Sequence, residues 1–197
     1  MNELIQTIDC LTESEVAKVI SLMDDSRYEP TTVFGDSGCE VRTDVRSNYR
    51  ICLSDQEEAS VIMHDAMNRA LNEYRTQLGH VHHEFINYPT PGGFRTKCYR
   101  EGIQVLRYQQ TQFYNWHYDC AVDRAVNEYH RTISIVLYLQ NAEEGGRTIF
   151  PHRAFKPKAG QALIFPSNWC FPHTAEPVIL GEKIVAVTWY HSQYDFD

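Results

Sequence analysis

Four short runs in the second half of the chain limit its fold most strongly: Gly102–Tyr108, Thr132–Leu139, Gln161–Phe165 and Lys183–His191. Each is rich in Val, Ile and aromatic residues, which fit a pleated, half-buried surface. Turns bearing Gly or Pro separate them at Glu143–Gly146, Lys156–Gly160 and Pro177–Gly181. Several short strands between turn signals predict a sandwich or barrel. The first half has a different period. Thr12 and Glu15 form a capping-box pattern ahead of Val16, Val19, Ile20 and Met23. Ser54 and Glu57 repeat it before Ala59, Ile62, Met63, Ala66, Met67, Ala70, Leu71 and Tyr74, with Gly79 as the expected stop. The expected fold is mainly β with flanking helices, built on a jelly-roll (double-stranded β-helix) core. Residues 1–197 are read as one domain, with a mainly helical annex over 1–80 packed on a core over 100–191.

A chain of 197 residues can bury a core without covalent staples. Its formal net charge of -8 opposes general nucleic-acid binding, which needs clustered Lys and Arg. No stretch of eighteen apolar residues occurs, so no membrane partner is expected. The start, MNELIQTIDCLTESE, lacks a basic segment followed by an apolar run. The six cysteines are scattered without a CxxC pair and read as buried or half-buried thiols. A reducing, cytoplasmic location is therefore expected. The sequence leaves the oligomeric state open. Two polar stretches, Asn87–Glu101 and Cys120–Arg131, are long enough to serve as lids over a site. His80, His82 and His83, just past the long helix, read as a surface turn.

The chemistry begins at Trp116–His117–Tyr118–Asp119. Residues i and i+2 of a strand share a face, so His117 and Asp119 can offer a nitrogen and an oxygen to one ion. An HxD tripeptide alone is a short pattern, and a third ligand gives it weight. His173 follows the run Gln161–Phe165 by a loop. Two His and one carboxylate make the facial triad of non-haem Fe(II) oxygenases, which leaves adjacent positions open. A 2-oxo acid can fill two of these and dioxygen the third. Lys183, ten residues beyond His173, is a candidate partner for the far carboxylate of 2-oxoglutarate. Such a charge-assisted hydrogen bond contributes about 1.5–3 kcal/mol. Taken alone, Lys183 also fits a solvated strand end.

Order and spacing then point to a family. Tyr108–Asp119, with Tyr108, Gln112 and Tyr114 ahead of His117, resembles the segment leading into the iron ligands of prolyl 4-hydroxylases. Glu143–Pro151 resembles that family's Gly-Gly-Glu-Thr stretch and its following Pro. Pro157, Gly160, Ala162, Leu163 and Phe165 match its next turn and strand. His173, Pro177, Gly181, Lys183, Trp189 and His191 match its C-terminal block. The resemblance covers about Glu101–His191. It implies that His117, Asp119 and His173 are the catalytic iron ligands. It implies that Lys183, Tyr108 and Thr148 bind 2-oxoglutarate, and that Tyr114, Arg131, Trp189 and His191 line the peptide side. Tyr108 and Trp189 also fit core aromatics, and Arg131 a surface strand start. The implied cofactors are Fe(II), 2-oxoglutarate and O2, with ascorbate as an accessory reductant. The implied partner is a protein or peptide containing Pro. A free amino acid or small metabolite is the alternative substrate, and a non-catalytic metal-binding jelly-roll interaction module is the alternative of another class. Four positions depart from the family pattern: Thr111 replaces Gly, Trp116 replaces Pro, Arg147 replaces an acid, and Ile184 stands where Trp is common. The Arg42–Ser47 stretch echoes a family Arg-Thr-Ser element weakly.

Overall fold

The computed structural model describes residues 2–35, 38–81, 96–120 and 130–194. The first half contributes β1 (Gln6–Asp9), α1 (Glu13–Ser21), β2 (Glu29–Pro30), β3 (Val33–Gly35), β4 (Gly38–Glu40), β5 (Tyr49–Cys52) and α2 (Glu58–Val81). The second half is β6 (Thr96–Arg100), β7 (Gln104–Tyr108), β8 (Tyr114–His117), β9 (His130–Gln140), β10 (Glu144–Gly145), β11 (Thr148–Phe150) and β12 (Arg153–Phe155). It continues with β13 (Gln161–Pro166), β14 (His173–Ala175), β15 (Val178–Leu180) and β16 (Lys183–Tyr194). The major sheet runs β1-β13-β9-β16-β7-β5-β2, with β6 also paired to β16, and the minor sheet runs β12-β11-β14-β8.

Strand periodicity explains how the layers form. Along β9, Ile133, Ile135, Leu137 and Leu139 pack with Met63, Met67, Leu71 and Tyr74 of α2. The alternate residue Tyr138 packs inward with Phe150, Phe165 and Trp189. In β16, Ile184, Ala186 and Tyr190 join the helical side, while Val185, Val187 and Trp189 face inward. One face of the major sheet is thus covered by helices. The other closes against the minor sheet and leaves the interior for a site. Truncating a fully buried residue of this core such as Leu71 to Ala costs about 2–5 kcal/mol.

Thr12 caps α1, with both hydrogen bonds of the capping box formed. The second pattern differs. The Ser54 N–H donates to Glu57 Oε1 at 2.7 Å, but this bond closes a turn ahead of α2, which starts at Glu58. Helix α2 also passes Gly79 and ends at Val81. The reading of 1–80 as mainly helical is incomplete, because β1 pairs with β13 and β5 with β7 in the major sheet. These strands are four residues long and were hidden by that brevity. The Pro177–Gly181 turn contains a short strand, β15, paired to β10. Cys39, Cys52 and Cys120 are exposed, contrary to the expectation of buried or half-buried thiols. Residues 87–95 and 121–129 of the two polar stretches lie outside the described residues, as do His82 and His83. No helix among the described residues is long and apolar enough to cross a membrane.

Thr111 explains one departure from the family pattern. It has φ +70° in the turn between β7 and β8, a conformation that suits Gly. The Thr111 N–H donates to Val178 O at 2.8 Å and Gln110 Nε2 to Ile179 O at 2.6 Å, so the turn is tied to β15.

Candidate active site

Pairing between β8 and β14 sets His117 opposite His173, and their ring centroids lie 4.2 Å apart. Asp119 follows two residues beyond His117. Its Oδ1 is 3.7 Å from His117 Nε2, and its Oδ2 is 3.8 Å from His173 Nε2. One ligand atom from each residue falls within 4.8 Å of the others. His117 Nδ1 lies 2.8 Å from Asn115 O and His173 Nδ1 lies 3.2 Å from Phe171 O. A carbonyl oxygen only accepts, so both Nδ1 atoms carry a proton and Nε2 of each ring is the nitrogen turned toward Asp119.

Electrostatics point the same way. Burial, then the neighbouring His173, push His117 down to about 3, which keeps it neutral. Burial alone would push Asp119 up. The imidazoles of His173 and His117, with hydrogen bonds from Ser134 and Trp189, outweigh it and hold the carboxyl below its usual range. The Ser134 bond is 2.7 Å, from Oγ to Oδ2. Two imidazole nitrogens and one carboxylate oxygen form a set that fits a divalent ion of the Fe(II) type.

The triad opens on a cavity of 530 Å³. Lys183, the first residue of β16, lines it and is 1% exposed. Its register partner is Tyr108 on β7. Nζ donates to Gly146 O at 3.0 Å and sits 4.2 Å from the Tyr108 ring centroid. Among the described residues, no carboxylate forms a salt bridge with it. Burial pushes Lys183 down to about 7. A buried amine facing a carbonyl and a π-face suits an incoming carboxylate. Gly146 permits this approach: it has φ +69°, and a Cβ there would lie 3.2 Å from the Ala142 Cβ. Thr148 lines the same cavity and accepts from the Tyr138 hydroxyl at 2.8 Å. Burial pushes Tyr108 up to about 12, so its hydroxyl keeps the proton.

The substrate-side candidates divide. Tyr114 stacks on His117, with centroids 3.6 Å apart and planes at 16°. Trp189 pairs with Ser134 across β16 and β9 and also lines the cavity. Arg131 lines it too, but its guanidinium is bidentate to Glu101 at 2.5 and 2.7 Å. His191 is buried outside the lining, with Nε2 2.5 Å from Glu101 Oε1. Of the ten residues expected at the site, the other nine line the cavity and His191 does not.

Sequence reasoning missed Ser134, Tyr138, Glu101 and Arg46. Arg46 is bridged to Tyr114, with its guanidinium carbon 4.5 Å from that ring centroid, and its Nε donates to Asn48 Oδ1 at 2.8 Å. The weak Arg42–Ser47 echo was its only signal. Two other departures find partners. Arg147 pairs with Glu176 at 2.6 Å, and Ile184 packs against the helical side.

Residues 103–191 match the family model for the 2OG-Fe(II) oxygenase superfamily. Prolyl 4-hydroxylase 2 of Arabidopsis thaliana is 33% identical over 124 residues, which cover 46% of this chain and 41% of that one. The chain spans about half the length of the curated relatives it matches, or less. The crystal structure of a viral collagen prolyl hydroxylase from Paramecium Bursaria Chlorella virus-1, a 2OG complex, superposes with TM-score 0.69. It is 24% identical, and the match covers 95% of this chain and 96% of that chain. A prolyl hydroxylase from Trichoplax adhaerens, in complex with a hypoxia inducible factor peptide fragment, superposes with TM-score 0.67 at 15% identity. That match covers 95% of this chain and 83% of the other. These solved structures show the jelly-roll fold.

Proposed function

We propose that this chain is a prolyl 4-hydroxylase-like 2OG-Fe(II) oxygenase that hydroxylates prolyl residues in a protein or peptide. The observation that carries this reading is the pairing of two features in one cavity. The first is the His117–Asp119–His173 donor set, and the second is the buried Lys183 without a carboxylate partner among the described residues.

In this reading His117, Asp119 and His173 hold Fe(II). When bound, the metal with 2-oxoglutarate and O2 couples decarboxylation to succinate and CO2 with insertion of one oxygen atom into a C–H bond. Lys183 binds the far carboxylate of 2-oxoglutarate, with Thr148 and Tyr108 beside it. The Nδ1–H bonds to Asn115 and Phe171 fix the two imidazoles. The inward apolar face of the major sheet excludes water. Tyr114 and Trp189 offer aromatic walls that suit a pyrrolidine ring. The exposed thiols of Cys39, Cys52 and Cys120 suit a reducing compartment, so a cytoplasmic location belongs to the same proposal.

A free amino acid is the second reading, and Arg46 favours it. This cation lines the cavity without a salt-bridge partner among the described residues, so it can receive a substrate carboxylate. Succinate release from 2-oxoglutarate and Fe(II) separates the two. We expect Pro-containing peptides to stimulate it and free proline not to. Stimulation by free proline alone would establish the second reading.

A further inference from the structure

Asp119 is the one member of the triad with no strand ladder around it. Pairing of β8 with β14 ends at His117↔His173, and Asp119 lies two residues beyond. Each His is fixed by its own Nδ1–H bond to a nearby carbonyl. The carboxylate must be held in another way, because metal sites need ligands within about 0.5 Å of the productive geometry.

The contacts around Asp119 show how. Its backbone oxygen accepts from Arg131 NH1 at 3.3 Å. Its carboxylate accepts from Ser134 Oγ at 2.7 Å, and the Trp189 side chain lies beside it. Arg131 sits over Trp189, with the guanidinium carbon 3.8 Å from the ring centroid. The other edge of the guanidinium is clamped by both oxygens of Glu101, which His191 Nε2 also approaches at 2.5 Å. A bidentate pair gives orientation as well as energy, and stacking fixes the plane.

We infer that Glu101, Arg131 and Trp189 form a positioning unit for the metal ligand Asp119. Glu101 orients the guanidinium, which grips the Asp119 main chain and braces the indole beside its carboxylate. This gives Arg131 an inward task in place of the peptide contact implied by family resemblance. The inference rests on the metal-centre reading above.

The test is a Co(II) titration of the full chain by calorimetry, with the Co(II) visible absorption bands as a second readout. Arg131→Met should weaken Co(II) binding about 10–100-fold, the usual cost of losing a partner behind a ligand. Its bands should shift. Trp189→Phe keeps a ring under the guanidinium but loses the indole N–H, and should show a smaller loss of the same kind. Arg131→Met alone strands a half-buried carboxylate, so the pair variant Glu101→Leu/Arg131→Met is made beside it. With both charges gone the fold is spared that penalty, and the loss of Co(II) affinity should persist. At saturating Co(II), 2-oxoglutarate affinity should stay at the wild-type level. Wild-type Co(II) affinity in both Arg131 variants, with only the KM for peptide raised, would overturn the inference and make Arg131 a peptide contact. Asp119→Ala is the control. If it binds Co(II) as tightly as wild type, the metal-centre reading fails and the inference falls with it.

Discussion

Lys183→Met should make the apo protein more stable and nearly useless to 2-oxoglutarate. Lys183 is 1% exposed, and burial takes its amine from 10.5 to about 7. At about 1.36 kcal/mol per pH unit, keeping the amine charged in the apo fold costs on the order of 5 kcal/mol. The unfolded chain keeps this proton to about pH 10 and the folded chain loses it near 7, so the unfolded state binds more protons between those values. Stability therefore rises with pH across that window, and the cost is fully present below it. Met has a similar length and no charge. Replacing buried charge by apolar atoms is commonly neutral or stabilising by about 1–4 kcal/mol, worth about 2–4 °C in Tm per kcal/mol at this chain length. The co-substrate has the opposite response. Removing one member of a buried charge pair costs about 2–5 kcal/mol, so the 2-oxoglutarate requirement should rise from roughly 30-fold to several thousand-fold. Wild-type affinity should also weaken as pH rises above about 7, where the apo amine loses its proton, and the variant should lack that slope. Thermal melts of apo protein and a 2-oxoglutarate titration followed by succinate release measure both effects. Unchanged 2-oxoglutarate affinity would assign its far carboxylate to another cation. A drop in apo stability would refute the claim that the buried amine is a burden awaiting its anion.

His117→Ala, Asp119→Ala and His173→Ala should each abolish 2-oxoglutarate decarboxylation while circular dichroism stays that of the wild type. Full succinate release by any one of them would remove that residue from the metal site. Thr111→Gly should stabilise the protein by about 1 kcal/mol, because a β-branched residue at φ +70° is held against its own preference. A thermal melt checks this, and a lower Tm would show that the Thr side chain contributes more than the turn strain costs.

Much of the site was legible because it follows short-range rules. The HxD pattern flagged His117 and Asp119, but β8 ends at His117 and Asp119 lies beyond it, so the shared strand face expected for the pair is not what brings them together. The strand start at Lys183 was marked by the Val-rich run after it. The inward and outward halves of β9 and β16 also follow from period two. What stayed hidden depends on register between distant segments. Ser134 reaches Asp119 only because β9 lies beside β16, with Ser134 opposite Trp189. Glu101 reads as a loop end until Arg131 and His191 converge on it. Arg46 acquires its place through one bridge to Tyr114, 68 residues away in sequence. Strands β1 and β5 are too short to show a period, and their partners fix them instead. Thr111 was visible as a departure, but the reason a Gly suits that turn appears only in its backbone angle.

The activity proposed for this cavity is transfer of one atom of O2 to a prolyl carbon, coupled to decarboxylation of 2-oxoglutarate. The direct measurement is mass spectrometry of a Pro-containing peptide after incubation with the protein, Fe(II), 2-oxoglutarate and isotopically labelled O2. The expected result is a gain of one labelled oxygen on a Pro residue, matched by succinate and lost in Asp119→Ala. Consumption of 2-oxoglutarate with no oxygen on any peptide, or an added oxygen that derives from water, would contradict it.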